Sequence, residues 1–316
     1  MATGIFLISD FFYSFFLSTL TDMNRPPGYA LSRMQEISNL PTLPSVLVEV
    51  LNHLQNPNVS FDTLQSVVAK DPALTARLLR IANSSYFGRQ KPTSSLTDAF
   101  LSIGVNGIIL IISSIGVVNV FGGTTNQRFD RRILWKHSVS TASMVRYLTR
   151  KLQYPESEVG EIATAALLHD IGHIVIGHYF PEEFGRILTG VGKGGDPLEL
   201  ERECLGNDHA ELSSYLAKYW RFSGSMIDML HWHHTPPENH PDAQAMYLVK
   251  LADRLCSWRK QDEPPVSPLE LVSNPGLLEP ILPFSTLEQR KIFSASFNDC
   301  PAELIRIQEL ADSMYN

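Results

Sequence analysis

Ala163-Thr164-Ala165-Ala166-Leu167-Leu168-His169-Asp170-Ile171-Gly172 is the stretch around which the rest of the chain is organised. It has the texture of the last turns of a buried helix, small and apolar on most sides, ending on an imidazole, a carboxylate and a glycine. Strongly polar groups set among apolar ones are costly to bury without partners. A neutral His and an ionised Asp are good ligands for a divalent cation; a hydrogen-bonded His–Asp pair is the plainer alternative. The dipeptide alone does not choose between them. The choice depends on whether further ligands occur at usable places.

Working outward, the pattern stays helical. Upstream, Glu158–His169 reads as one helix and Arg131–Lys151, carrying His137, as another. Downstream come a short segment to Tyr179 and a helix over Pro181–Leu188. Gly190-Val191-Gly192-Lys193-Gly194-Gly195 lacks the preceding strand and the terminal Lys-Ser/Thr of a phosphate loop and is expected to be a flexible linker. Asp196-Pro197 caps the next helix, and His209 opens one that ends by Trp220. Ile227 to His234 leads into a loop with Pro236, Pro237 and Pro241, and Ala243–Trp258 carries Asp253.

The earlier part of the chain follows the same rule. Val46, Leu47, Val50, Leu51 and Leu54 recur at helical spacing after Pro41-Thr42-Leu43-Pro44. Ser60 is a candidate N-cap for a helix bearing Leu64, Val67 and Val68. Asp71-Pro72 joins a capping carboxylate to a proline at the first helical position. The helix it opens points Leu74, Leu78, Leu79 and Ile81 inward, with Arg77 and Arg80 nearby, either as a solvated face or as a grip for an anion or a partner. Helices over Leu96–Gly104 and Ile108–Phe121 follow. Ser113, Ser114 and Asn119 interrupt the latter, which reads as a bundle interior rather than a membrane span. No alternating run with hairpin turns is present, so the fold class is all-α. Gly122-Gly123-Thr124-Thr125-Asn126 divides two lobes. The organisation expected is an apolar N-terminal segment and linker at 1–36, a two-lobed body at 37–258 (37–121 and 126–258), and a helical tail at 259–316.

At 316 residues the chain can bury a large core, and 44% hydrophobic with 19% charged residues is ordinary for a globular protein. A net charge of −7 argues against nucleic acid or anionic lipid as a broad electrostatic partner. Cys204, Cys256 and Cys300 are far apart, which suggests neither a disulfide framework nor a thiolate zinc site and fits a reducing cytoplasm. Ile5–Leu20 is rich in Phe, Leu and Ile, yet it is short for a membrane span, contains Asp10, and lacks the basic start and cleavage site of a secretory signal. It is read first as a helix or hairpin packed on the body. The alternatives are a membrane-surface anchor, with contact through residues 5–20, and a translated leader ahead of a start at Met23 or Met34.

The second lobe brings the further ligands. His137, His169-Asp170, His209, His233-His234 and Asp253 amount to five imidazoles and two carboxylates over five segments. On a continuous helix neighbouring side chains point ~100° apart. His169 and Asp170 are therefore expected to serve a cluster, the carboxylate bridging two ions, rather than grip one ion together. Two cations a few ångströms apart suit attack on a phosphoryl group.

The order His, His-Asp, His, His-His, Asp resembles the metal-dependent HD phosphohydrolase superfamily, including its HD-GYP cyclic di-GMP phosphodiesterase branch. Leu43-Pro44, Asp71-Pro72-Ala73-Leu74-Thr75-Ala76-Arg77-Leu78-Leu79-Arg80-Ile81-Ala82-Asn83-Ser84 and Tyr86-Phe87-Gly88 narrow the likeness to the HDOD domain, the HD-related output domain of bacterial signalling proteins. Trp135-Lys136-His137-Ser138, Leu168-His169-Asp170-Ile171-Gly172 and Asp208-His209-Ala210-Glu211 fit the same family, over roughly residues 37–258. The resemblance implies that His137, His169, Asp170 and Asp253 hold one divalent ion, and Asp170, His209, His233 and His234 a second. Iron, manganese, nickel and zinc are equally compatible with this donor set.

The chain also departs from the hydrolytic branch. His173 stands where a lysine follows its HDIG motif, His233-His234 is followed by Thr235 rather than Glu, and no Gly-Tyr-Pro follows. Ile133 stands four residues before His137, so no acid is offered to a third metal. HDOD-like proteins are regulatory modules, which makes a protein-binding signalling role the first expectation and a phosphohydrolase acting on a nucleotide or other phosphoester the second. His173 is read as a local cap first and as a substitute proton donor second. His53, His178, His231 and His240 are read as incidental. Lys250 and Arg254 are candidates to meet a substrate phosphate.

Overall fold

The computed structural model describes residues 25–38, 40–43, 48–49, 61–87, 91–104, 107–108, 111–112, 130–257 and 299–315. Among these the regular structure is helical, with no strand. The segment 5–20, Ser60, the link 122–126, most of the helices expected over 46–54 and 108–121, and the tail over 259–298 lie outside the described residues.

Chain order gives α1 (Tyr29–Gln35), α2 (Phe61–Ala69), α3 (Pro72–Ala82), a single 3-10 turn (Ser85–Phe87) and α4 (Leu96–Ile103). Helices α2, α3 and α4 pack on one another through the buried Leu64, Val67, Val68, Leu78, Ile81 and Phe100. The expected cap is in place: the Asp71 carboxylate accepts from the N–H groups of Ala73 and Leu74, with Pro72 at the first helical position. Asp71→Ala should therefore lower stability by about 1 kcal/mol, read as a shift of the urea midpoint at unchanged slope.

The remaining elements are α5 (Arg131–Lys151), α6 (Glu156–Leu168), α7 (Ile171–Tyr179), α8 (Pro181–Gly192), α9 (Pro197–Leu205), α10 (His209–Tyr219), α11 (Gly224–Trp232), α12 (Ala243–Cys256) and α13 (Cys300–Tyr315). The centre is α5, which packs on α6, α12 and α13. It is covered on most sides, so its small polar residues are buried as well. The Thr141 and Thr149 hydroxyls solve this by donating to the carbonyls of His137 and Val145 one turn back.

Two local results differ from the sequence expectation. The glycine run is not a linker: Gly190 and Gly192 belong to the last turn of α8, and Gly195 N–H returns to the Gly190 carbonyl at 3.1 Å. The reason for glycine there is packing, since a Cβ at Gly190 or Gly195 would lie 2.8–2.9 Å from the Leu200 side chain. The second concerns the residues after Asn24. Ala30 and Met34, one helical turn apart on α1, are fully buried. Gly28 N–H donates to Gly206 O at 2.8 Å, and a Cβ at Gly206 would meet the Pro26 carbonyl oxygen at 2.0 Å. Residues 25–35 thus dock on the α9–α10 turn, next to His209.

Glu156–Tyr179 is long and apolar enough to cross a membrane by length and composition, but 78% of its most apolar window is buried inside the protein. That burial is accounted for by its neighbours α5, α10, α11 and α12.

Candidate metal centre

His169 ends α6 and Asp170 begins α7, so the two residues do not lie on one continuous helix. His169 keeps helical φ and ψ, and Asp170, with φ −97° and ψ 9°, breaks the helix just after the pair. Both side chains reach the same point: His169 Nε2 lies 3.4 Å from Asp170 Oδ1. The junction is held from α10. Ser213 Oγ donates to the His169 carbonyl at 2.7 Å and accepts from Gly172 N–H at 2.9 Å. A Cβ at Gly172 would sit 2.0 Å from the His209 carbonyl oxygen, so only glycine permits this approach.

The other residues of the set arrive from α5, α10, α11 and α12. His137 Nε2 is 3.2 Å from His169 Nε2, 3.4 Å from Asp170 Oδ2 and 3.1 Å from Asp253 Oδ1. His209 Nε2 is 3.3 Å from Asp170 Oδ1 and 2.8 Å from His234 Nε2. His233 Nε2 stands 4.0 Å from the same carboxylate oxygen. Asp170 thus turns one oxygen to His137 and the other to His169, His209 and His233. All seven residues named from the sequence converge.

Their tautomers follow from what lies behind each ring. His169 Nδ1 faces the Ala166 carbonyl at 2.7 Å and His233 Nδ1 the Leu230 carbonyl at 2.8 Å. His209 Nδ1 faces Glu201 Oε2 at 2.7 Å, and His137 Nδ1 the Cys256 carbonyl at 3.4 Å. Carbonyls and carboxylates only accept, so Nδ1 carries a proton in each of these rings, and Nε2 presents a lone pair wherever the ring is neutral. With the rings neutral, the pocket is lined by acceptors facing acceptors. His233 Nε2 is buried with no hydrogen-bond partner. Lone pairs held this close need a cation or protons between them, and imidazole nitrogens backed by hydrogen-bonded Nδ1–H groups are the usual form of a metal-holding histidine. Two clusters, His137–His169–Asp170 and His209–His233–His234, each bring one ligand atom per residue within 4.8 Å of the others.

Charge is arranged to match. Burial would raise the Asp170 carboxyl, but the surrounding imidazoles, His169 first, hold it well below its ordinary value. Asp253 is likewise held low against burial by hydrogen bonds from His137 and His169. Burial lowers His233 strongly, and brings His234 to about 4 with the help of His209. For His137 and His209 burial is outweighed by acceptors, Asp253 and Asp170 for the first and Glu201 and Asp170 for the second, so both rings are raised.

Two further residues stand behind the seven. Glu201 on α9 is 1% exposed and receives both the Nδ1–H and the backbone N–H of His209, at 2.7 and 2.8 Å. Against burial, His209 and His173 bring its carboxyl down to about 2. Its one sequence signal is that it shares a helical face with the buried Cys204 and Leu205, three and four residues on. His173 is the other: it does not cap. Its ring stacks on His209 at 4.0 Å, with Nδ1 3.4 Å from Glu201 and Nε2 3.9 Å from Asp170.

The residues set aside as incidental stay outside the cluster. His231 meets Ser214 and His240 meets Asp228, His178 packs on Tyr179, and His53 lies outside the described residues. Lys250 is half-buried and Arg254 exposed on α12. Burial and then the Arg254 charge lower the Lys250 ammonium.

An all-helical body that closes His and Asp clusters able to hold metal defines the class: a helical histidine–aspartate domain. The HDOD domain model matches residues 40–236, well over half of the chain. The chain belongs to the HDOD domain family. In three dimensions it is similar to a crystal structure of an HDOD domain protein of unknown function from Geobacter sulfurreducens, with TM-score 0.73 and 24% identity over 89% of this chain and 97% of that one. A protein of Shewanella amazonensis SB2B, whose name assigns it provisionally to the phosphohydrolases, gives TM-score 0.68 and 21% identity over 91% of this chain and 98% of that one. At these identities the likeness shows the fold. An uncharacterized protein of Treponema pallidum (strain Nichols) is 25% identical over 209 residues, 66% of this chain; the match spans 40% of that relative's length.

Proposed function

We propose that this chain is a bacterial signalling output module whose second lobe holds a pair of divalent cations. The observation that carries the reading is the set of Nε2 lone pairs, each fixed by an acceptor behind its ring and aimed with Asp170 and Asp253 into one pocket. His137, His169, Asp170 and Asp253 hold the first ion in this reading, and Asp170, His209, His233 and His234 the second. The module acts by binding a protein partner through its helical surface. The group after Gly172 favours that over turnover: burial first, then the charge of His209, lowers the His173 imidazole, so it is a neutral ring stacked on a ligand rather than an ammonium free to meet a leaving group.

A metal-dependent phosphohydrolase is the second reading, favoured by a complete donor set in which Asp170, His173 and His234 keep some solvent access. A cation pair bound there supplies Lewis-acid stabilisation of a phosphoryl oxygen and acidifies water. In this reading Lys250 and Arg254 meet the phosphate, and His173, tied to Glu201, holds or accepts a proton at Nε2.

A panel of nucleotides and phosphodiesters, assayed with manganese or iron on protein purified without chelators, separates the two. The module reading expects bound metal, no turnover above Asp170→Ala, and a co-purifying protein. Turnover that Asp170→Ala abolishes would replace it with the hydrolase reading. Glu201→Gln removes the charge behind His209 and should weaken the second ion about 10–100-fold while sparing the first, as read by competition with a chromophoric chelator.

A further inference from the structure

Away from the histidines, the described residues enclose a second polar space, a cavity of about 350 Å³ between the 3-10 turn, α4, Gly107 and Ile111, α5, the start of α6 and α13. Its volume falls in the range of small-molecule sites, roughly 300–1,000 Å³. Ser143, Arg146 and Arg150 come to it from one face of α5, and Arg306 from α13.

Arg146 is half-buried, and burial pulls its guanidinium below its ordinary value. Among the described residues no carboxylate lies within ion-pair distance of Arg146 or of Arg150. Room for the Arg146 head exists because residue 107 is glycine: a Cβ there would fall 2.9 Å from its Nη1. Ser143 is an independent sign. It is 4% exposed, and its Oγ is buried with no hydrogen-bond partner.

A half-buried cation with no carboxylate in contact, Glu156 acting on it only from beyond ion-pair distance, and a buried hydroxyl without a partner are each unfavourable. One anion that accepts from both removes both penalties. The cavity's acids do not do so. Glu303 is engaged by Arg306 at 3.2 Å, and Glu156, at the start of α6, is not within ion-pair distance of Arg146. Tyr86 adds an aromatic wall, its ring lying 5.4 Å from the Arg306 guanidinium carbon.

We propose that this cavity binds a phosphate-bearing small molecule, whose phosphate oxygens accept from Arg146, Arg150 and the Ser143 hydroxyl. Along α5, Arg146 stands nine residues beyond His137, about 13 Å at the rise of an α-helix. One phosphate cannot reach both places, so the site is separate from the metal cluster and uses none of its donors. It is bounded by helices from the start, middle and end of the chain, and a ligand there holds the three together.

Calorimetric titration of the purified full chain with inorganic phosphate tests this. Binding is expected in the wild type and in Asp170→Asn. It should weaken about tenfold or more in Arg146→Ala, with helical content by circular dichroism unchanged. Arg150 is exposed, so Arg150→Ala leaves the fold intact and decides the matter should Arg146→Ala fail to fold; it too should weaken binding several-fold. No binding up to millimolar phosphate, binding that both arginine changes leave within twofold, or binding abolished by Asp170→Asn overturns the proposal.

Discussion

Asp170→Ala is expected to empty both metal positions at once, taking the protein from two divalent ions per chain to none. The carboxylate lies between the two donor groups, with Oδ2 3.4 Å from His137 Nε2 and Oδ1 3.3 Å from His209 Nε2. Without it five imidazoles face one another with Asp253 alone to offset a cation's charge, and neither group keeps enough donors to close a site. Asp170→Asn, of the same shape but uncharged, should behave like the alanine variant while preserving the fold. Metal content per chain is the readout. Loss of a single ion would show that the carboxylate does not bridge.

Gly172→Ala should be the most damaging one-methyl change among residues 130–257. The added carbon would lie 2.0 Å from the His209 carbonyl oxygen and 2.9 Å from His209 Cα. The obstacle is backbone, which cannot rotate away as a side chain can. The α7–α10 contact must open, and the Ser213 clamp on His169 and Gly172 opens with it. A loss of about 3 kcal/mol or more is expected, together with weakened metal binding because His169, Asp170 and His209 all move. Urea denaturation reads the first and metal content the second. An unchanged midpoint would contradict the close approach.

The helices were legible where local chemistry sets them. Asp71-Pro72 and Asp196-Pro197 open helices as their carboxylates and prolines require. Six of the seven clustered residues were legible because imidazoles and acids in apolar helical contexts need a reason to be buried; Asp253 was not of that kind, and the resemblance completed the set with it. What was not legible depends on contacts between distant segments. Glu201 sits in Leu198-Glu199-Leu200-Glu201-Arg202-Glu203, an ordinary charged helix by composition, and only the packing of α9 on α10 brings it behind His209. The end of α6 was legible, since the helix over Glu158–His169 closes on His169 and Asp170; that these two adjacent side chains reach one point was not. The glycines at 190 and 195 read as looseness, yet they make room for Leu200. Arg146 and Ser143 lie on a helix whose other face carries His137, and a cavity between three parts of the chain has no one-dimensional signature.

The most direct test of the metal-centre reading is the metal content of the full chain, purified without chelators from cells grown with added manganese, iron and zinc. The donor geometry predicts two divalent ions per chain, retained through gel filtration. Protein free of bound divalent metal from every such growth would contradict it and leave protons, rather than cations, between the facing histidines.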